Sequence, residues 1–280
     1  MSDDYIIKPQ PETGTSTSPM KAVDAHGNPV ELDIVHERPL TVFLNNREIV
    51  TLMSIGDHPK LLGVGYLVNQ NMLSPQDQIE SIDYDDVIDT VVIRTKVVTD
   101  FEEKLKRKIL TSGCGQGTIF ADIMDKLEDT TLAQTFQFKA SWLELLLNKI
   151  KATPSLYRKA GSIHGCVLCH KDKPLIYMED VGRHNALDKI AGYLYLNDLP
   201  KEDYILYTTG RMTSEMVMKA VIMGIEILIS RSGATQWAVE LAEKTGLTLI
   251  SRARPKRFIA LCHQGRIMFD LEKPSSKAAE

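Results

Sequence analysis

Cys114 is the side chain with the clearest chemical potential in this 280-residue chain. It lies in the segment Thr111-Ser112-Gly113-Cys114-Gly115-Gln116-Gly117, where three glycines surround a single thiol. Glycine at every second position is expected to prevent regular secondary structure and lets the backbone pass close to another molecule. A thiol in such a segment can attack, or be attacked by, the sulfur atom of a partner. The segment therefore predicts sulfur chemistry on a mobile loop.

Arginine side chains follow three predicted strands, at the point where each strand ends. They are Arg211, Arg231 and Arg254. Ligands of open parallel sheets bind beyond the carboxyl ends of the strands. Helix N-termini and guanidinium groups both favour phosphate oxygens. We therefore predict a crevice for a phosphate-bearing ligand at this edge of the sheet, the alternative being a set of scattered surface arginines.

The segment Glu179-Asp180-Val181-Gly182-Arg183-His184-Asn185-Ala186-Leu187-Asp188-Lys189 is predicted to begin a helix. Arg183 lies on the same edge of that helix as the apolar stripe, so its charge needs a partner. The partner is either Asp180 or Asp188 within the chain, or an external anion. His184 is either a proton-transfer group or a hydrogen-bonding member of the same cluster.

The remaining cysteines are Cys166, Cys169 and Cys262. The first two form a CxxC pair, a spacing that can bind metal or exchange disulfides. They fall in one predicted strand, however, where side chains three residues apart face opposite sides of the sheet. No second pair of this kind completes a tetrahedral zinc site. We therefore interpret all three as packing residues.

The composition is that of an ordinary globular protein, with 43% hydrophobic and 25% charged residues. A net charge of −4 gives no general reason to expect a nucleic-acid partner. Four unevenly spaced cysteines do not make a disulfide framework, which suits a reducing compartment. The chain shows no secretory signal and no apolar run of membrane-spanning length. We expect a cytoplasmic protein that binds neither nucleic acid nor membrane.

The elements that must position these residues fall into four predicted segments. Residues 1–20 are rich in Ser, Thr, Pro and Gly and are predicted to be a disordered tail. Residues 21–110 form a β-rich subdomain with a hairpin turn at Asn45-Asn46. The mobile cysteine loop covers residues 111–117, and residues 118–272 form an α/β cofactor-binding domain.

The last of these segments begins with a predicted helical stretch, which Pro154 ends. Beyond residue 160, strands and helices alternate with short joins, which predicts βαβ units and a parallel sheet covered by helices. A last hairpin, formed by residues 257–262 and 266–269, is predicted to turn at Gln264-Gly265.

Four stretches together resemble the FdhD/NarQ family, the formate dehydrogenase accessory sulfurtransferases. They are residues 37–68, residues 112–117, Glu179–Lys189, and residues 206–266, which contain Thr209-Gly210-Arg211. The resemblance extends over most of the chain. The string EDVGRHNALDK is long enough to be specific.

The resemblance implies a sulfurtransferase activity. Such proteins accept persulfide sulfur from a cysteine desulfurase and pass it to the bis-molybdopterin guanine dinucleotide molybdenum cofactor, which formate dehydrogenase requires. The family's catalytic loop cysteine corresponds to Cys114. Its cofactor-contacting segment corresponds to Phe258, Ile259, Ala260, Leu261, Cys262 and His263, and we add Arg211 of the crevice to this cofactor-binding set.

The resemblance also implies an α/β fold similar to that of cytidine deaminases, with a three-layer arrangement of helices on a sheet, a smaller N-terminal β-rich subdomain and a homodimeric assembly. The zinc pattern of the deaminases, His-x-Glu with Pro-Cys-x-x-Cys, is absent from the sequence. Deamination is therefore not implied, and we expect no tightly held metal. The molybdenum cofactor is expected as a bound substrate.

One position departs from the family pattern. Many relatives carry a second cysteine three residues after the first, where this chain has Gly117. Either Cys114 alone carries the persulfide or a remote cysteine assists, and we expect the former. The missing second thiol also leaves open a protein that binds and delivers the cofactor without moving sulfur.

Overall fold

We describe the fold from a computed structural model. It describes residues 5–11, 16–74, 76–96, 109–111, 114–118, 127, 130–133, 135–197, 199 and 203–271, with the backbone alone at 109–111 and 114–118. The strands are β1 Thr17–Val23, β2 Pro29–Val35, β3 Arg38–Leu44, β4 Arg47–Ser54, β5 Ile79–Asp85, β6 Thr90–Thr95, β7 Ile109–Thr111, β8 Cys114–Thr118, β9 Phe138–Lys139, β10 His164–His170, β11 Lys173–Asp180, β12 Tyr204–Thr208, β13 Ile227–Ser230, β14 Thr248–Arg254, β15 Arg257–Cys262 and β16 Ile267–Met268. The helices are α1 Pro59–Asn69, α2 Ala140–Ala152, α3 Leu156–Lys159, α4 Arg183–Asn197, α5 Ser214–Ile222 and α6 Gln236–Thr245.

The N-terminal part of the chain builds a four-stranded sheet in the order β4-β3-β6-β5. Strands β3 and β4 form the predicted hairpin, in which Asn45 adopts a left-handed φ of 54°. Asparagine tolerates this conformation better than most residues do. One face of the sheet packs against α1 in an apolar core of its own. The predicted β-rich N-terminal unit is therefore present.

The larger sheet has six strands in the order β11-β10-β12-β13-β14-β15. Only the pairs β12–β13 and β13–β14 are parallel, whereas β10–β11, β10–β12 and β14–β15 are antiparallel, so the predicted parallel sheet is in fact mixed. The reason is that tight turns at Lys171 (φ 55°) and Lys256 (φ 59°) join β10 to β11 and β14 to β15. Turns this short permit antiparallel pairing alone, because a parallel pair needs a long crossover.

The predicted final hairpin is wrong in its pairing. Strand β15 pairs with β14, whereas β16 pairs in parallel with β9 from the middle of the chain. Gln264 and Gly265 lie in a 3-10 turn that joins β15 to β16. The choice of partner depends on a contact across more than a hundred residues, which local sequence does not encode.

Helices cover both faces of the six-stranded sheet. Helices α4, α5 and α6 pack on one face and α2 on the other. Side chains of each strand alternate between the two cores, as Leu206 and Ile205 do. Cys166 and Cys169 likewise face opposite cores, which confirms their interpretation as packing residues. The expected α/β class with its helix-covered sheet is confirmed, and the specific likeness to cytidine deaminases stays a prediction.

The two sheets are joined by a close crossing of α1 over α4. A Cβ atom added to Gly65 would overlap the carbonyl oxygen of Asp188, and one added to Gly192 would overlap that of Leu61. Glycine at both positions lets the helix backbones touch. The crossing fixes the start of α4, which carries Arg183, against the N-terminal sheet.

Part of the predicted disordered tail belongs to the fold. Ile6 donates its backbone N–H to Leu175 at 2.8 Å, and Tyr177 donates to Ile7 at 3.0 Å, so this segment lies along the edge of β11. Strand β1 begins at Thr17, also within the predicted tail. The apolar pair Ile6-Ile7 explains the difference, because a strand edge can bind an extended apolar segment. Residues 1–4 and 12–15 lie outside the described residues.

Candidate functional site

A cavity of about 350 Å³ opens at the carboxyl ends of β12, β13 and β14. Helices α2 and α3 form its far wall, so it lies on the α2 face of the sheet. We name it the arginine-tyrosine pocket. It is lined by Leu147, Asn148, Ile150, Lys151, Ser155, Tyr157, Arg158, Tyr177, Tyr207, Thr209, Arg231, Ala253, Arg254 and Pro255. Its place at this edge of the sheet agrees with the predicted crevice, and its volume is within the range of ligand pockets.

Four cationic side chains line this pocket: Lys151, Arg158, Arg231 and Arg254. Arg254 donates to the carbonyl oxygen of Arg231 at 3.0 Å, and Arg158 donates to that of Lys151 at 2.5 Å. Among the described residues, no carboxylate forms an ion pair with any of the four. The pocket therefore carries a concentrated positive charge that suits a phosphate group.

Three tyrosine rings share the lining with these cations. Burial raises the pKa of Tyr207 to about 12 and raises that of Tyr177 further above its usual value. Both phenols therefore stay protonated at neutral pH. Tyrosine offers an apolar ring face beside a polar hydroxyl. The pocket therefore combines the half-buried ring of Tyr157 with cations that suit an anion.

Glu179 orients the wall of this pocket. Its carboxylate accepts the backbone N–H groups of Leu156 at 2.7 Å and Tyr157 at 3.0 Å, at the start of α3. Tyr177 donates its hydroxyl to the same carboxylate at 3.3 Å. Burial raises the pKa of Glu179 above its ordinary value. The first residue of the EDVGRHNALDK segment thus holds the short helix that carries Tyr157 and Arg158.

His164, Arg183 and Arg211 meet beside this pocket, and we name them the histidine-arginine site. His164 begins β10, where its Nδ1 atom lies 3.4 Å from the hydroxyl oxygen of Thr209. Thr209 also lines the pocket and accepts the Gly165 N–H at 3.0 Å. Burial lowers the pKa of His164, and the charges of Arg183 and Arg211 lower it further.

Gly210 brings the two arginine-bearing segments into contact. A Cβ atom at this position would lie 2.7 Å from Cδ of Arg183, so glycine makes room for the arginine stem. The segment Thr209-Gly210-Arg211 therefore packs directly on the start of α4. Two of the stretches that carry the family resemblance form one structural unit here.

The carboxylates that we considered as partners for Arg183 bind other groups. Asp180 pairs with Lys189 at 2.5 Å and accepts the hydroxyl of Ser54 at 2.7 Å. Asp188 pairs with Lys219 at 2.8 Å. Residues of this segment therefore belong to two buried ion clusters, one around Lys189 and one around Lys219.

Lys189 is the most unusual member of these clusters, because its side chain is fully buried. It contacts Asp180 and Asp57 and donates to the carbonyl oxygen of Glu179 at 2.9 Å. Burial alone would lower the pKa of the ammonium group, but the two carboxylates raise it above 10.5. These contacts link α4 to Asp57 and to the end of β11.

His184 is buried inside the same region. Its Nε2 atom lies 3.5 Å from a carboxylate oxygen of Glu215 on α5. The pKa of the imidazole is lowered well below its ordinary value of 6.5, mainly by burial. The positive charges of Lys219, Arg183 and His164 lower it further. His184 is neutral at physiological pH and lies at a junction between α4 and α5.

The predicted cofactor-binding residues of β15 do not come together with Arg211. Phe258 lies near the carboxyl end of β14, where its ring stacks on that of Phe269 with 6.3 Å between the ring centroids. His263 lies at the opposite end, where its ring contacts the carbonyl oxygens of Ala242 and Glu243 at 3.2 Å. Cys262 between them is buried. The segment 258–263 therefore runs along the sheet edge, with Ile259 exposed and Ala260 and Leu261 half-buried.

Cys114 is the first residue of β8, in register with Thr111 of β7. Regular structure at 114–118 corrects the expectation that alternating glycines prevent it, because glycine weakens a strand without forbidding it. The side chain of Cys114 lies outside the described residues, and its mobility and catalytic role stay predictions.

The other three cysteines are buried packing residues. Burial raises the pKa of Cys166 to about 12 and that of Cys262 to about 11, and it raises that of Cys169 further. None of them is a thiolate at neutral pH, so none of the three is ready for nucleophilic attack.

Sequence reasoning missed the far wall of the pocket. Tyr157, Arg158 and Tyr177 come from elements that gave no strong periodic signal, and α3 has four residues. Ser155, which caps α3 by accepting the Arg158 N–H at 3.3 Å, was the available clue.

The described residues contain neither a metal-binding cluster nor a membrane-spanning helix. No group of three or more His, Cys, Asp and Glu side chains there could hold a metal ion. No described helix is both long and apolar enough to span a membrane.

The model of the FdhD/NarQ family matches residues 35–268. The chain belongs to this family. Relatives named sulfur carrier protein FdhD include that of Bacillus pumilus, 31% identical over 84% of this chain and 90% of the relative. That of Bacillus subtilis is 30% identical over 85% of this chain and 91% of the relative.

A solved structure supports the fold of this FdhD/NarQ protein. It is a crystal structure of a protein from Desulfotalea psychrophila assigned as a formate dehydrogenase accessory protein. The TM-score is 0.72 at 24% sequence identity, covering 90% of this chain and 98% of the other. At this identity the likeness concerns the fold.

Proposed function

We propose that this protein is a sulfurtransferase that takes persulfide sulfur from a cysteine desulfurase onto Cys114. It then passes the sulfur to the bis-molybdopterin guanine dinucleotide molybdenum cofactor, for use by formate dehydrogenase. The names of the relatives, sulfur carrier protein and formate dehydrogenase accessory protein, support this role. We place the reaction in the cytoplasm and expect a homodimer.

The distribution of the four cysteines is the main support for Cys114. The other three are buried and have raised thiol pKa values, which leaves them protonated and inaccessible. Cys114 is the one cysteine of the sequence in a glycine-rich segment, a composition that favours close approach of the backbone to another molecule. With Gly117 in place of a second thiol, one cysteine must both receive and release the sulfur.

The sulfur steps follow thiol exchange. The thiolate of Cys114 attacks the terminal sulfur of the desulfurase persulfide, the sulfur–sulfur bond of the donor breaks, and the desulfurase cysteine leaves as a thiolate. The terminal sulfur now on Cys114 is the atom delivered to the cofactor.

The arginine-tyrosine pocket is our candidate binding site for a guanine nucleotide of the cofactor. The half-buried ring of Tyr157 can stack on a purine, and Arg231 and Arg254 can bind phosphate oxygens in a forked geometry. The pocket holds about 350 Å³, so the rest of so large a ligand must extend along the sheet edge. Among the described strands β15 is the last of this sheet, so its outer edge can offer backbone hydrogen bonds there.

The direct test is sulfur loading. Purified protein is incubated with a cysteine desulfurase and cysteine, and intact-mass spectrometry follows the addition of a sulfur atom. We expect one added sulfur, mapped by peptide analysis to Cys114, and none in Cys114→Ser. Loading of Cys114→Ser equal to that of the wild type would contradict the proposal.

A second candidate function is a carrier that binds and delivers the cofactor without moving sulfur. Gly117, which removes the second thiol of the family pattern, favours it. The same experiment separates the two, because a carrier binds nucleotide and leaves Cys114 unmodified by the desulfurase.

A further inference from the structure

Residues 5–11 cover the outer edge of β11, and we name them the edge strap. Ile6 donates its backbone N–H to Leu175 at 2.8 Å, and the carbonyl oxygen of Ile7 accepts the Tyr177 N–H at 3.0 Å. The odd-numbered positions of the strap are buried or half-buried and the even-numbered ones are exposed, which is the alternation of an extended strand. Backbone pairing and one row of side chains therefore dock the strap.

Helix α3 separates two cavities. Tyr157 and Arg158 line the arginine-tyrosine pocket on one side. Leu156 lines a second cavity, of about 660 Å³, which the edge strap and the segment Asp57-His58 enclose. Leu156 is also the one buried residue of this four-residue helix. Because so short a helix has little stability of its own, contacts from neighbouring segments determine its position.

The edge strap contacts the chain at both ends of α3. Before the helix, the hydroxyl oxygen of Tyr5 lies 3.0 Å from that of Thr153. At the last residue of the helix, Lys159 donates its ammonium group to the carbonyl oxygen of Pro11 at 3.3 Å. The two ends of the strap are thus connected to the two ends of the helix.

A third connection runs through β11. Tyr177, which donates its N–H to the strap, donates its hydroxyl to Glu179 at 3.3 Å and lines both cavities. Glu179 in turn accepts the first two N–H groups of α3, from Leu156 and Tyr157. Docking of the strap and anchoring of the helix therefore depend on neighbouring groups of one strand.

We propose that the edge strap positions α3, and with it Tyr157 and Arg158 in the wall of the arginine-tyrosine pocket. Tyr5 and Pro11 are positioning residues, because they act on the pocket through the helix. The alternative is a segment that only covers an edge strand, as loops commonly do, and it predicts an effect of the strap on β11 alone. The inference goes beyond the proposed function, on which only the nucleotide measurement below rests.

Ile6→Pro is the main perturbation, since it removes the backbone donor to Leu175 at a position whose side chain is 51% exposed. Ile6→Ala is the matched control, because it shortens the same exposed side chain and keeps the N–H group. Ile7→Asp is a second variant that detaches the strap, since it places a carboxylate where Ile7 packs against the core of the large sheet.

Amide hydrogen exchange, measured by NMR on the full chain, reports the strap and the helix separately. The Tyr177 N–H reports docking of the strap, and the N–H groups of Leu156 and Tyr157 report α3. We expect exchange at all three to be about fivefold or more faster in Ile6→Pro than in Ile6→Ala, as for loss of a backbone hydrogen bond. Exchange at Ala238 in α6 should be equal in the two variants if the fold is intact.

Tyr5→Phe separates positioning from edge covering. It removes the hydroxyl group beside Thr153 and leaves the backbone pairing of the strap in place. Exchange at Tyr177 should therefore match that of the wild type, whereas exchange at Leu156 should rise by about twofold or more. No rise at Leu156 would remove Tyr5 from the positioning residues.

Calorimetric titration with GDP gives the functional readout. The apparent affinity of a site falls with the fraction of molecules in which the site is formed. Ile6→Pro should therefore bind GDP about threefold or more weakly than the wild type. Ile6→Ala should bind GDP as the wild type does.

Equal exchange at Leu156 and Tyr157 in Ile6→Pro, Ile7→Asp and Ile6→Ala would overturn the proposal. Acceleration confined to Tyr177 would also overturn it and would identify the strap as an edge cover. So would equal GDP affinities of the two Ile6 variants when the wild type binds. Absence of GDP binding by the wild type would instead reject the nucleotide of the proposed function, and the exchange rates would still decide whether the strap positions α3.

Discussion

Removing the ammonium group of Lys189 tests whether the buried ion cluster stabilises the start of α4. The side chains of Lys189 and Asp180 are both 0% exposed, whereas Asp57 is 34% exposed. Lys189→Met preserves most of the aliphatic volume but leaves Asp180 buried without its cation. Breaking a buried pair in this way costs about 3–5 kcal/mol, a large part of a typical domain stability of about 5–15 kcal/mol.

The assay is urea unfolding followed by circular dichroism, with the free energy of unfolding obtained by linear extrapolation. Arg94→Gln is the matched control, since it breaks an ion pair with Asp83 in which both side chains are exposed. Such pairs contribute about 0–1 kcal/mol. Asp57→Asn should fall between the two.

A double variant keeps the test informative if Lys189→Met does not fold. In Asp180→Asn/Lys189→Met the buried charge is gone with its partner, so the loss should be smaller than the sum of the two single losses. A Lys189→Met loss of about 1 kcal/mol or less, no larger than that of the control, would refute the reasoning.

Three further predictions address the helix start, the helix crossing and the pocket. The folded-state pKa of His184 lies well below 6.5, so the folded protein resists protonation of this side chain and loses stability as the pH falls through the unfolded-state pKa. The urea concentration at the midpoint of unfolding should therefore be lower at pH 5.5 than at pH 7.5. This decrease should be smaller in His184→Gln. Gly65→Ala should lower the free energy of unfolding by about 1–3 kcal/mol or more, because the new Cβ atom meets a backbone carbonyl. Gly265→Ala is the control, since the space around this residue is open and the free energy of unfolding should change little. Equal effects of the two substitutions would contradict the close contact between α1 and α4. Arg231→Gln should weaken GDP binding by about tenfold in calorimetry, and an affinity equal to that of Arg94→Gln would remove the nucleotide from this pocket.

The strands and helices of the sheet were predictable from the sequence. Period-two and helical patterns locate β12 to β14 and α4 to α6 within a few residues, because each element buries one face or both. The arginines at the strand ends were predictable for the same reason, since the direction of parallel strands fixes which loops share an edge.

The pairing of strands and the pocket wall were not predictable. Strand β16 joins β9, and residues 5–11 join β11, through contacts between distant parts of the chain. Tyr157 and Arg158 enter the site because Glu179 binds the N-terminus of α3, a tertiary hydrogen bond with no local signature. The partners of Asp180 and Asp188 are also set by tertiary packing, which is why Lys189 and Lys219 were not foreseen.

Formate dehydrogenase activity in cells that carry Cys114→Ala in place of the wild-type protein tests the central claim most directly. Sulfur transfer through this thiol predicts that activity is lost while the abundance of formate dehydrogenase is unchanged. Cys169→Ala, which removes a buried thiol from the core of the sheet, should retain activity. Full activity with Cys114→Ala would contradict a persulfide carried on this residue.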